Sequence, residues 1–135
     1  MGPKPIPIVP VFLNAYYPPN QPSASRCHAL GQAIARVVAC FPDDLRIGVM
    51  ASGDLSHFVV DEALDRRILQ ALADKDPVYF CMLPSRKLQS GSSEIRNWIC
   101  LAGAAAALDL AWSAYVPGYR TEALTGTGFG FASLK

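Results

Sequence analysis

A nearly unbroken apolar run, Leu45-Arg46-Ile47-Gly48-Val49-Met50-Ala51, opens directly into the small-residue stretch Ser52-Gly53-Asp54-Leu55-Ser56-His57. Preceded by the Pro42-Asp43-Asp44 turn, the run reads as a strand covered on both faces in a parallel sheet. Ligands of such sheets bind in the crevice outside the carboxyl ends of the strands. His57, one of two histidines in the chain, is therefore aimed at a crevice by its position.

The remaining elements follow from periodicity and breakers. Ile6 to Leu13 carries apolar residues interrupted by Pro5, Pro7 and Pro10, which restricts it to a short or edge strand. The proline-rich segment 14–22 reads as an ordered loop. A helix starts at Ser23 or Ser25, with Cys27, Leu30, Ile34, Val37, Val38 and Phe41 at three- and four-residue steps, and Pro42 ends it. Linking two strands through this helix predicts a right-handed βαβ crossover. Asp61 can cap a second helix whose Leu64, Ile68 and Leu72 share a face while Asp65, Arg66 and Arg67 meet water. Val78 to Leu83 is ambiguous. Glu94-Ile95-Arg96-Asn97-Trp98 opens a helix expected to run through Ala111, and its Gly103-Ala104-Ala105-Ala106-Ala107 run permits close packing against a sheet or another helix. Phe129 to Leu134 reads as a terminal strand after a glycine- and threonine-rich turn. The expectation is a single α/β domain over residues 1–135, with a mixed, largely parallel sheet flanked by helices.

At 135 residues and 51% hydrophobic composition the chain can bury a real core. A formal net charge of +1 with 17% charged residues leaves no electrostatic footprint for nucleic acid or an anionic membrane. No apolar run reaches the roughly 18 residues of a membrane span, and the proline-broken amino terminus lacks the hydrophobic region of a signal peptide, so a cytoplasmic location is expected. Cys27, Cys40, Cys81 and Cys100 form no CxxC pair and lie in apolar stretches, which predicts reduced core thiols.

Three groups could carry chemistry. His57 can exchange a proton near neutrality or ligate a metal, or can be a loop histidine satisfied by backbone. Glu94 stands at a helix start, where the dipole favours a carboxylate by about 0.3–1 kcal/mol. The functional alternative is an ionised acid fixed beside the apolar wall of Ile95 and Trp98. His28, off the apolar stripe, is expected at the surface. His28, His57 and Glu94 together could form the facial triad that binds ferrous iron, although nothing in their spacing favours that grouping. Ser56 lacks the second glycine of a nucleophile elbow, which argues against hydrolysis.

Taken together, several segments resemble the carboxyl-terminal half of the class III extradiol dioxygenases of the LigB superfamily, in their protocatechuate and gallate dioxygenase branch. They are Val9-Pro10-Val11-Phe12-Leu13-Asn14 with Tyr17-Pro18-Pro19, Arg26-Cys27-His28-Ala29-Leu30-Gly31, Ala51-Ser52-Gly53-Asp54-Leu55-Ser56-His57, Ser90-Gly91-Ser92-Ser93-Glu94-Ile95-Arg96-Asn97-Trp98 with Ala102-Gly103-Ala104, Tyr115-Val116-Pro117-Gly118-Tyr119-Arg120 and Thr125-Gly126-Thr127-Gly128. The resemblance implies an incomplete LigB-like fold and cleavage of a catechol-type aromatic acid by O2 at non-haem Fe(II). It assigns His57 as the acid and base and Glu94 as an iron ligand. It also implies that the family's two iron-binding histidines lie upstream of the part matched here. The isolated chain is therefore expected to be inactive unless an amino-terminal segment or second subunit completes the site. Self-association is the other expectation for partners, and the alternative to the enzyme reading is a non-catalytic binding or assembly module that keeps the dioxygenase fold. The family signature carries Gly-Gly where this chain has Gly53-Asp54, which places a charge near the pocket and asks Asp54 to tolerate a left-handed backbone.

Overall fold

Helix starts are fixed by side chains at the positions where capping chemistry predicts them. A computed structural model describes residues 5–42 and 44–135; the amino-terminal stretch Met1–Lys4 and the Asp43 position of the expected turn lie outside the described residues. Helix α1 (Ala24–Val38) begins where Ser23 Oγ accepts the Arg26 N–H, and α2 (Glu62–Ala73) where Asp61 Oδ1 accepts the Leu64 N–H. The ambiguous 78–83 run is a short helix, α3 (Pro77–Met82), with Asp76 as its cap and proline at its first turn. Two single 3₁₀ turns, Ser85–Lys87 and Ser90–Glu94, lead into α4 (Ile95–Ala104).

Three strands make one sheet in the order β1 (His57–Val59), β3 (Thr125–Leu134), β2 (Leu110–Tyr119), and both pairings are antiparallel. This corrects the largely parallel expectation: the fold is mixed α/β with an antiparallel sheet. Residues 6–13 and 45–51 pair with no strand among the described residues, so no βαβ crossover forms. Their apolar side chains are turned outward, with Phe12 90% and Met50 91% exposed. A strand exists through its ladder partner, and these runs lack one here. Strands β2 and β3 need no distant partner because a short turn joins them to each other. Accordingly α4 stops at Ala104 rather than at Ala111, and Leu110 and Ala111 belong to β2.

The core fills the space between α1, α4, α2 and the sheet, with Cys27, Leu55, Ile68, Phe80, Ile95 and Ile99 fully buried. Two glycines set the α1–α4 crossing. A side chain at Gly31 would collide with the Cys100 carbonyl and lie 2.7 Å from Ala104 N; one at Gly103 would collide with the His28 carbonyl. Close backbone contact thus replaces bulk on that face, as the small-residue run allowed. It also rotates α1 away from its expected stripe. Ala24, Cys27, His28 and Gly31 are buried, whereas Val37 is 60% exposed. His28 is consequently a buried residue and not a surface one. Cys27 and Cys100 are buried thiols, with burial pushing Cys27 up to about 11, while Cys40 is exposed and Cys81 half-buried; all four are free. Among the described residues no helix is long and apolar enough to cross a membrane.

Candidate active site

The Ser52–His57 loop is clamped from two sides, and the clamps explain why its sequence and that of 94–98 belong together. On one side the start of α4 grips residues 52–54. Glu94 Oε2 accepts the Asp54 N–H at 3.1 Å, Asn97 Nδ2 donates to the Ser52 carbonyl at 2.6 Å, and Trp98 Nε1 donates to the Gly53 carbonyl at 3.0 Å. Gly53 has φ +150°, a value that favours glycine, and a side chain there would come within 2.8 Å of Glu94 Oε2. The unusual backbone angle therefore falls on Gly53. Asp54 is not among the positive-φ residues, so the loop does not ask it for a left-handed conformation.

On the other side, α2 holds Ser56. Asp65, fully buried, accepts the Ser56 N–H at 2.8 Å through Oδ1, and both the Ser56 hydroxyl (2.6 Å) and the Tyr115 hydroxyl (2.8 Å) through Oδ2. Ser56 Oγ in turn accepts the Asp61 N–H at 2.8 Å. This overturns the expectation that Asp65 faces water. The glycines of β3 make the room: a side chain at Gly128 would overlap the Asp65 carboxylate, and one at Gly130 would press on Leu55. Burial raises the Asp65 carboxyl above the ordinary carboxylate range, and burial together with the bond to Asp65 raises the Tyr115 phenol. Ser56 is fully buried with its hydroxyl committed in both directions, so it is a structural residue and no nucleophile.

Anchored in this way, His57 enters β1 opposite Thr127, its N–H donating to Ser92 Oγ at 3.3 Å. A side chain at Gly91 would meet His57 Cβ at 2.6 Å, which fixes the 3₁₀ turn against the histidine. The imidazole Nδ1 lies 3.4 Å from Asp54 Oδ2. Phe58 next to it has φ 72°, a costly conformation for a bulky side chain, and its ring centroid is 4.7 Å from that of His57. An open groove of about 300 Å³ runs from His57 and Phe58 past Leu64 to Arg86, Lys87 and Ser92. Lys87 within it pairs with Asp61 at 2.7 Å and holds that carboxyl below its ordinary value.

Glu94 is the last residue of the second 3₁₀ turn and the cap position of α4, exposed and bound to the Asp54 N–H. His57 and Glu94 thus meet at Asp54, one through its carboxylate and the other through its backbone. His28 is not part of this site. It is 6% exposed against α4, lines a separate cavity of about 120 Å³ with Leu72 and Phe80, and burial lowers its pKa. The triad of His28, His57 and Glu94 does not assemble, and among the described residues no three His, Cys, Asp or Glu side chains converge as a metal site. Glu94 alone does not make an iron centre. Periodicity and motif spacing missed Asp65, Tyr115 and Arg96. Arg96 is 3% exposed and donates to the carbonyls of Pro22, Ala15 and Leu88, tying the 15–22 loop to the turns before α4.

A mixed α/β fold brings a histidine and a carboxylate together on one glycine-dependent loop, and the comparisons with known proteins give the chain a family. The family described as the catalytic LigB subunit of aromatic ring-opening dioxygenase matches residues 1–130, and the chain belongs to it. A gallate dioxygenase of Pseudomonas putida is 40% identical over 58 residues, a stretch covering 43% of this chain and 17% of the relative's length. No solved structure matches the chain.

Proposed function

We propose that this chain contributes part of the active site of an extradiol dioxygenase that opens catechol-type aromatic acids of the protocatechuate or gallate class. His57 serves as the acid and base, and Glu94 as one ligand to Fe(II). The further two donors come from polypeptide beyond the described residues, since those residues do not supply them. The observation that carries the reading is the shared loop: Asp54 is held by Glu94 through its N–H and lies beside His57 through its carboxylate, in a chain that belongs to the LigB family.

His57 suits a proton shuttle because it sits at the mouth of the groove with its Nε2 uncommitted among the described residues. There it can take a phenolic proton as the substrate enters and return one as the ring opens. Leu64 and Phe58 supply apolar contact for a ring, and Arg86 supplies positive charge, the neighbouring Lys87 being paired with Asp61. Ser92 and Gly91 keep the imidazole in register without competing for Nε2.

Anaerobic titration of the chain with ferrous salt, followed by oxygen uptake with protocatechuate or gallate, should show neither stoichiometric binding nor turnover. In a polypeptide that adds two histidine donors, both should appear. His57→Ala in that polypeptide should abolish ring opening while leaving substrate affinity largely unchanged. Turnover that survives His57→Ala would refute the assignment.

A further inference from the structure

On the loop between Ser52 and His57, the Asp54 side chain reaches toward the imidazole. We propose that Asp54 is a positioning residue for His57: its carboxylate accepts the Nδ1–H of the neutral imidazole, which leaves the Nε2 lone pair as the proton acceptor facing the groove. The inference rests on the assignment of His57 as acid and base and specifies which ring nitrogen does that work.

Three observations converge on this. Asp54 Oδ2 lies 3.4 Å from Nδ1, close enough for a hydrogen bond to form with a small turn of either side chain. The backbone that carries the Asp54 side chain is fixed, because its N–H is held by Glu94 and the two carbonyls before it by Asn97 and Trp98. The imidazole springs from an equally fixed point, with Gly91 against its Cβ and the Phe58 ring beside it. A neutral imidazole has one donor and one acceptor nitrogen, and the partner of one decides the role of the other. A carboxylate can only accept, so it selects the Nδ1–H tautomer. With glycine at position 54 that selection would have no side chain to make it.

The test reads the tautomer directly. Long-range proton–nitrogen NMR on the labelled full chain, at a pH where the imidazole is neutral, reports which nitrogen of His57 carries hydrogen, and buried His28 supplies an internal control. Wild type should show His57 predominantly protonated at Nδ1. Asp54→Gly keeps the backbone bond to Glu94, and should shift the ratio toward the Nε2–H form by about three- to tenfold, the worth of one ordinary hydrogen bond. Asp54→Asn should retain much of the wild-type ratio, because its amide oxygen can still accept, which separates orientation from charge. An unchanged ratio in Asp54→Gly with the His28 signals intact would overturn the proposal, as would a wild-type His57 already protonated at Nε2. The measurement needs neither substrate nor iron, so a failure of ring cleavage would count against the functional reading and leave this result standing.

Discussion

Replacing Ser56 with alanine isolates the anchor beneath the candidate site. The hydroxyl is fully buried, donates to Asp65 at 2.6 Å and accepts the Asp61 N–H at 2.8 Å, so the substitution removes one bond to a carboxyl and strands one backbone donor. A hydrogen bond to a charged group is worth about 1.5–3 kcal/mol net, and an orphaned buried donor costs about 1–3 kcal/mol. Asp61 N–H is only partly buried and can recruit water, and burial already biases Asp65 toward its neutral form, so the lower ends of both ranges apply. Their sum is about 2–3 kcal/mol, which for a chain of this size lowers Tm by about 6–12 °C. Calorimetry and urea titration of Ser56→Ala measure it. Tyr115→Phe should cost less, about 1 kcal/mol, since it removes one bond and strands no backbone group. Because both hydroxyls share Asp65 Oδ2, the double variant should deviate from additivity by about 0.5 kcal/mol or more. A loss under about 0.5 kcal/mol for Ser56→Ala would refute the claim that this hydroxyl bears on the loop, given the usual scatter of surface substitutions. Labelling of wild-type Ser56 by a serine-directed probe would refute its structural role outright.

Gly53→Ala combines an unfavourable backbone angle with a clash at Glu94, so it should destabilise by about 2 kcal/mol or more and displace the Glu94 carboxylate, seen as shifted Asp54 and Glu94 amide resonances. Arg96→Met removes the side-chain donor to the carbonyls of Pro22 and Leu88 and one of the two donors to Ala15, which keeps its bond from Gln21; a loss of about 2–4 kcal/mol and earlier proteolytic cleavage within 15–22 are expected. The pH dependence has opposite signs at two aspartates. Asp65, raised by burial, contributes stability that is fully present below the ordinary carboxylate value and is lost as pH climbs through its higher folded value. Asp61, lowered by Lys87, contributes stability present above the ordinary value and lost as pH falls through its depressed one. Relative to wild type, Asp65→Asn should therefore gain urea resistance as pH rises through the carboxylate range, and Lys87→Met should close its deficit on acidification.

Local chemistry was the legible part of this chain. Asp61 and Ser23 announce their helices because a cap acts within three residues, and the small residues around Gly103 announce a close helix crossing whatever the partner. The motifs around His57 and Glu94 stand out in the sequence, and the shared Ser52–Asp54 loop shows how they meet physically: Glu94, Asn97 and Trp98 all hold backbone groups of that loop. Non-local pairing was the illegible part. Apolarity at 45–51 cannot say whether a neighbouring strand is available, and β2 hid in an alanine-rich stretch that suits a helix equally well. Asp65 looked like an outward helix residue beside Arg66 and Arg67 because nothing in α2 reveals that Gly128 in β3, far along the chain, opens a space for its carboxylate. His28 was misplaced for a related reason, since the buried face of α1 is chosen by two glycines and not by its bulkiest side chains.

The bare stretches at either side of α1 carry a practical consequence for anyone handling this protein. In 6–13, Pro7 and Pro10 withhold amide hydrogens, which blunts that segment as a template for intermolecular ladders. The 45–51 segment has no such safeguard: it is β-branched, free of proline and charged at Arg46 alone. Solubility should accordingly hinge on that short ribbon, with concentrated samples drifting toward cross-β aggregates that begin there and a lysine in place of Val49 delaying their onset.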